Sequence, residues 1–285
     1  MFCPKCGTEN VEGSNYCRKC GTYLSVDSKV SEETEQINIA FPESEDLHLK
    51  IRVGACRLKV RPGEGGTWVT GTYSHPSGLM PSKVEHDGGT VKIFQQHDVA
   101  DVRIVKGTPR FDLLLGKSKP YKLTLETGAS ESSLDLGGLP LTEMTVRHGA
   151  GRFDMDFSAS NPGEMKRLDI NAGAVGMEMK NLANANFVDM IVEGGAASYR
   201  FDFGGKSSRD GNAKISTGMS SVEIRVPSST AAKIFSKTVL GTLDIGDGYT
   251  KKEGAFWTEA AVAGKTPFLT ISASMSLGIL SIKTM

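Results

Sequence analysis

The chain has 285 residues, enough to bury a substantial core in one large β domain or two medium ones. Lys plus Arg and Asp plus Glu both number 33, a zero net charge that argues against a general nucleic-acid binder or a face made for anionic lipid. The 33 glycines point to many turns between short strands, and no apolar run approaches the roughly 18 residues a membrane-spanning helix needs.

The N-terminus, Met1-Phe2-Cys3-Pro4-Lys5, carries no apolar signal core, so the chain is expected in the cytoplasm, where thiols stay reduced. Four of the five cysteines fall in the first twenty residues, as Cys3-Pro4-Lys5-Cys6-Gly7 and Cys17-Arg18-Lys19-Cys20-Gly21. Two residues between thiols let both turn onto one ion, and the following Gly lets the backbone bend tightly behind them. Two such pairs make a closed tetrahedral set of soft ligands, suited to one structural Zn²⁺ held by Cys3, Cys6, Cys17 and Cys20. Iron would fit the same cage. A redox dithiol usually opens a helix in a larger α/β fold, whereas this segment is too short and polar for a core of its own. Zinc supplies on the order of 10–16 kcal/mol to such a segment. Residues 1–24 resemble the short zinc ribbons at the N-termini of many bacterial and archaeal proteins. With Lys5, Arg18 and Lys19 set against Glu9 and Glu12, the ribbon reads as a protein-contact or stability module rather than a nucleic-acid reader.

Residues 25–36 are polar and acidic and read as a mobile tether. Residues 37–126 alternate less regularly, as in Leu47-His48-Leu49-Lys50-Ile51, Thr90-Val91-Lys92-Ile93-Phe94 and Tyr121-Lys122-Leu123. They are expected to cap the first repeat and hide its sheet edge. Cys56 shares the parity of Leu58 and Val60 and is expected in the core as a spectator thiol.

From residue 127 to 285 an apolar-polar-apolar tripeptide recurs. The copies are Leu134-Asp135-Leu136, Phe153-Asp154-Met155, Met177-Glu178-Met179, Tyr199-Arg200-Phe201, Val222-Glu223-Ile224, Leu243-Asp244-Ile245 and Leu280-Ser281-Ile282. They lie 19, 24, 22, 23 and 21 residues apart before a last interval of 37. Small residues precede them at Gly149-Ala150, Gly173-Ala174 and Gly195-Ala196, with Gly218-Met219 and Gly54-Ala55 in the same frame. A second β segment lies between copies, for example Met144-Thr145-Val146 and Leu168-Asp169-Ile170. Each repeat is therefore expected to be two strands and two turns, one layer of an all-β, solenoid-like stack. The long last interval would be an excursion before a final strand closes the far end.

Residues 121–157, with Thr127-Gly128-Ala129, Leu134-Asp135-Leu136 and Gly149-Ala150-Gly151, resemble the toast-rack domains of bacterial proteins, including the LiaF-type family and adhesin-like relatives. The likeness extends loosely over 40–285. It implies a stacked β domain, contact with protein partners such as a membrane signalling component, and a link to envelope-stress or cell-wall antibiotic responses. It brings no catalytic residues. LiaF-type proteins usually carry transmembrane helices where this chain has its ribbon.

A carbohydrate-active β-helix enzyme is the sharpest alternative, because the tripeptide centres Asp135, Asp154, Glu178, Glu223 and Asp244 would line one sheet face. Arg200 interrupts that row, and strand alternation already accounts for it as a solvated face of mixed charge. His97 with Asp98 and Asp101 lacks ligand spacing, and His148 is expected at a strand end on the surface. The expected function is a non-enzymatic zinc-binding interaction protein, able to self-associate through exposed end strands. A ribbon-mediated nucleic-acid adaptor is the remaining alternative.

Overall fold

A computed structural model describes the chain except residues 1, 4, 12–13, 15, 23, 25–30, 78–80 and 96–106. The protein is all-β. The first strands are β1 (Glu32–Ala40), β2 (His48–Val53), β3 (Arg57–Pro62), β4 (Thr67–Pro76), β5 (Ser82–Asp87), β6 (Thr90–Gln95) and β7 (Arg110–Leu115). Three long strands follow, β8 (Tyr121–Asp135), β9 (Leu141–Asp156) and β10 (Met165–Lys180), then the shorter β11 (Phe187–Gly194) and β12 (Ala197–Asp202). The chain ends with β13 (Gly211–Val226), β14 (Ala231–Ile245), β15 (Tyr249–Lys252), β16 (Ala255–Thr258), a one-turn helix α1 (Glu259–Val262) and β17 (Phe268–Thr284). No helix among the described residues is long and apolar enough to cross a membrane.

The expected tether is shorter than its composition implied. β1 begins at Glu32 and pairs antiparallel with β4 along its whole length, so residues 32–36 belong to the sheet. Residues 25–30 lie outside those described.

Two parallel ladders run through the domain, joined by strands long enough to belong to both. In one, β6, β2, the first half of β8, then β9, β10, β11 and β13 follow one another. In the other, β7, β3, the second half of β8, then β9, β10, β12 and β13 do the same. The two-strand repeat of the sequence is thus, in most copies, one continuous strand of 15–17 residues. Between β11 and β12, at Gly194 to Ala197, it is broken in two. β2 and β3 form such a pair too, so the region expected to cap the stack supplies layers of it. The caps are β5 on one ladder and β4 with β1 on the other, all antiparallel.

Each long strand turns where it passes between ladders. In β17 the inward residues Met275 and Leu280 are five apart, an odd spacing that alternation along a straight strand would forbid. Glycines sit at these bends because successive layers touch there: a Cβ at Gly173 would lie 2.3 Å from the Gly149 carbonyl oxygen, and one at Gly149 3.0 Å from that of Gly128. One core cluster draws on both ladders, stacking Phe153, Met177, Tyr199, Val222 and Leu280 in successive layers. Burying a side chain of this size contributes about 1.5–3 kcal/mol, which a single layer could not collect alone.

Two expectations of register change. In the first copy, Ser132 and Leu134, not Leu134 and Leu136, pair with Phe153 and Met155. A slip of two keeps every side chain on its own face, so alternation could not detect it. The final strand also does not close the far end. β17 inserts between β13 and β14, parallel to both, and leaves β14 as the last strand.

Candidate functional site

The sequence Cys-x-Lys-Cys-Gly-Thr occurs twice in the ribbon, and the two copies fold alike. Cys3 N donates to the Thr8 carbonyl at 2.9 Å and Gly7 N to the Cys3 carbonyl at 2.9 Å. Cys17 N donates to Thr22 at 2.8 Å and Gly21 N to Cys17 at 2.9 Å in the same pattern. Gly7 and Gly21 both have φ of 67°, the left-handed conformation that the tight turn requires. Thr8 Oγ1 lies 3.3 Å from Cys6 Sγ, and Thr22 Oγ1 3.2 Å from Cys20 Sγ.

These turns bring all four sulfurs within 4.8 Å of one another, with Cys3–Cys20 and Cys6–Cys17 contacts of 3.6 Å. Backbone N–H groups of the second knuckle, that of Cys20 foremost, hold the Cys17 thiol down to about 6, while burial pushes Cys3 up to about 11. Four converging sulfurs with N–H donors around them are a donor set that fits a tetrahedral soft cation. Cys56 is apart from them, 2 % exposed, its thiol pushed up to about 12 by burial.

The polar row of the second ladder differs in part from its expected membership. In register it runs Lys59, Ser133, Asp154, Glu178, Arg200, Glu223, Ser281 and Asp244. Asp135 pairs with Asp156 instead, two residues further along. Arg200 bridges Glu178 and Glu223 at 3.3 Å each, Arg152 holds Asp154 at 2.7 Å, and Lys283 reaches Glu223 at 3.4 Å. Although burial opposes it, Arg225 and Lys283 hold Glu223 below the usual carboxylate range. A glycosidase acid needs its pKa raised, and Glu223 is shifted the other way.

His148 is buried rather than on the surface. Its Nδ1 lies 2.6 Å from Thr127 Oγ1, and burial lowers its pKa. His97, Asp98 and Asp101 lie outside the described residues. A cleft of about 360 Å³ is lined by Phe187, Phe203, Phe268 and Leu269, with Lys206 and Lys265 at its polar side.

Exposed apolar residues gather where β13, β17 and β14 bend. Met219, Leu277 and Leu240 form one row across the three strands, 62 %, 41 % and 70 % exposed. Ile279 and Val239 lie beside them, also exposed. Earlier bends carry Ala129, Ala150 and Ala174 in register with each other. The switch from Gly-Ala to Gly218-Met219 was the sequence signal for this patch. A cluster of five large apolar side chains at one corner is what a protein-docking surface looks like.

A family model described as the N-terminal domain of toast_rack, DUF2154, matches residues 26–174, more than half of the chain, and a zinc-ribbon domain model matches residues 2–24. No curated protein matches. Among solved structures, a candidate cell adhesion protein from Clostridium sporogenes aligns over 90 % of this chain and 100 % of its own, at 13 % identity and TM-score 0.48. A candidate adhesin from Parabacteroides merdae aligns over 89 % of this chain and 96 % of its own, at 10 % identity and TM-score 0.34. A candidate lipid-binding protein from Parabacteroides distasonis gives the same coverages at 15 % identity and TM-score 0.32.

Proposed function

The chain belongs to the toast-rack N-terminal domain family, with a zinc ribbon fused before it, and from that premise we propose that it is a non-enzymatic interaction protein. The observation that carries this reading is the exposed apolar corner of Met219, Leu277, Ile279, Val239 and Leu240, together with a charged row in which Arg200 pairs with both Glu178 and Glu223 and Arg152 with Asp154. The stacked layers act as a rigid, solenoid-like scaffold that holds this corner in place. Cys3, Cys6, Cys17 and Cys20 hold one structural zinc ion, which folds the ribbon and takes no part in chemistry. Reduced thiols suit a cytoplasmic location. The resemblance of residues 121–157 to LiaF-type domains supports a partner in envelope-stress signalling, such as a membrane kinase.

Affinity capture with the full chain, an Ile279→Lys form and a Cys17→Ser/Cys20→Ser form tests this. Partners lost with Ile279→Lys and kept by the cysteine variant are expected. Partners that ignore Ile279 and vanish with the cysteines would transfer recognition to the ribbon and overturn the reading.

A further inference from the structure

The two ends of the stack are finished differently. At one end, antiparallel β5 and β1 close the ladders and carry Lys83, Glu85, Asp87, Glu32, Glu33 and Glu35, the charged protection expected of an edge strand. At the other, β14 is covered by β16 only at Lys233 and Ile234. From Phe235 to Ile245 its outer edge pairs with nothing among the described residues. The core face is open there too. Leu243 is 38 % exposed although its layer neighbours Leu280 and Val222 are 1 % and 2 % exposed.

The open segment is self-complementary when read against its own reverse. Ser236 and Thr238 pair with the inward Ala273 and Met275 of β17, and Leu243 and Ile245 with the inward Leu280 and Ile282. Lys237, Val239, Thr242 and Asp244 are exposed on the other side. An antiparallel copy centred between Leu240 and Gly241 places Ser236 opposite Ile245 and Thr238 opposite Leu243, inward against inward. It places Val239 opposite Thr242 and Lys237 opposite Asp244, outward against outward, with an opposite-charge pair formed twice. The bend then meets the bend. A shift of one residue turns inward side chains against outward ones, and a shift of two sets the bend against straight strand.

We propose that two copies of the chain pair antiparallel through the β14 edge, residues 236–245, about a two-fold axis between Leu240 and Gly241. The pairing extends both ladders and the core across the interface and covers Leu243. It is isologous and therefore closed, because the opposite end of each copy is sealed by charged antiparallel strands, so a dimer forms and not a filament. Its biological use rests on the reading of the chain as an interaction protein. Its existence does not, since the pairing is made by the open edge of β14, whereas Met219 of the apolar corner lies on β13 and Leu277 and Ile279 on β17, with only Val239 and Leu240 common to both.

Sedimentation of the full-length protein across the micromolar range tests the pairing. Wild type sediments as a dimer. Lys237→Asp sets Asp against Asp244, and Asp244→Lys sets Lys against Lys237, twice per dimer, so each weakens dimerisation by about tenfold or more. The combined Lys237→Asp/Asp244→Lys form restores the dimer, and Leu243→Lys, also on an exposed site, dissociates it. Circular dichroism checks that every variant keeps its strand content. A monomeric wild type overturns the pairing, while the corner reading would still stand or fall on the capture experiment. A dimer indifferent to the single reversals, or a double reversal as weak as either single one, overturns it equally.

Discussion

The chain has five cysteines, and their surroundings divide them four to one. The ribbon sulfurs converge within 4.8 Å, whereas Cys56 is buried among strands with its thiol pushed up to about 12. Zinc-loaded protein is therefore expected to show no fast reaction with an aromatic disulfide reagent. A chelator should release one zinc per chain and expose four thiols, and denaturant a fifth. Release of only two thiols, or a fast-reacting Cys56, would contradict the assignment. The convergence of the four ribbon sulfurs and the burial of Cys56 were legible because ligand spacing and strand parity are local properties of Cys-x-x-Cys and of Cys56, Leu58 and Val60. His148 was equally legible and was missed: it shares the parity of the buried Met144 and Val146, but a strand end was expected where β9 runs on through its bend.

At the scale of the element, the bend is the feature that sequence periodicity described only halfway. The small residues before each tripeptide were visible, and they read as turns between separate strands because Gly weakens a strand interior. In the folded chain they let one strand serve both ladders while backbones of successive layers touch. Two substitutions in β10 separate these roles. A Cβ at Gly173 would lie 2.3 Å from a backbone oxygen, which only a backbone shift can relieve, so Gly173→Ala is expected to destabilise by about 1–3 kcal/mol. A Cβ at Gly176, three residues on, meets nothing within 4 Å, and Gly176→Ala should change stability by less than about 1 kcal/mol, in the stabilising direction. Urea unfolding of both variants decides it; equal losses would mean that the glycines serve backbone freedom and not close layer contact.

For the whole molecule, the order of layers was the least legible property. Neighbouring repeats were expected to stack in chain order, and they do from β8 to β13. β14 and β17 carry the same alternation and either could lie against β13, so nothing local distinguishes them. The excursion through β15, β16 and α1 covers the start of β14, and the last strand then enters beside β13 rather than outside β14. That inversion leaves Leu240 and Leu243 at an open end and sets Met219 and Leu277 in one exposed row with Leu240. The carboxylate row was placed on the correct face, but its first member was wrong by two residues because a period of two cannot register such a slip.

Partner recognition is proposed at the β14 end of the toast rack. Photo-cross-linking in living cells tests it most directly, with a photoreactive residue at Ile279 in one form and at Glu33, near the opposite end, in another. Protein adducts from Ile279 and none from Glu33 are the predicted result. Adducts from Glu33 alone, or equal adducts from both ends, would contradict it.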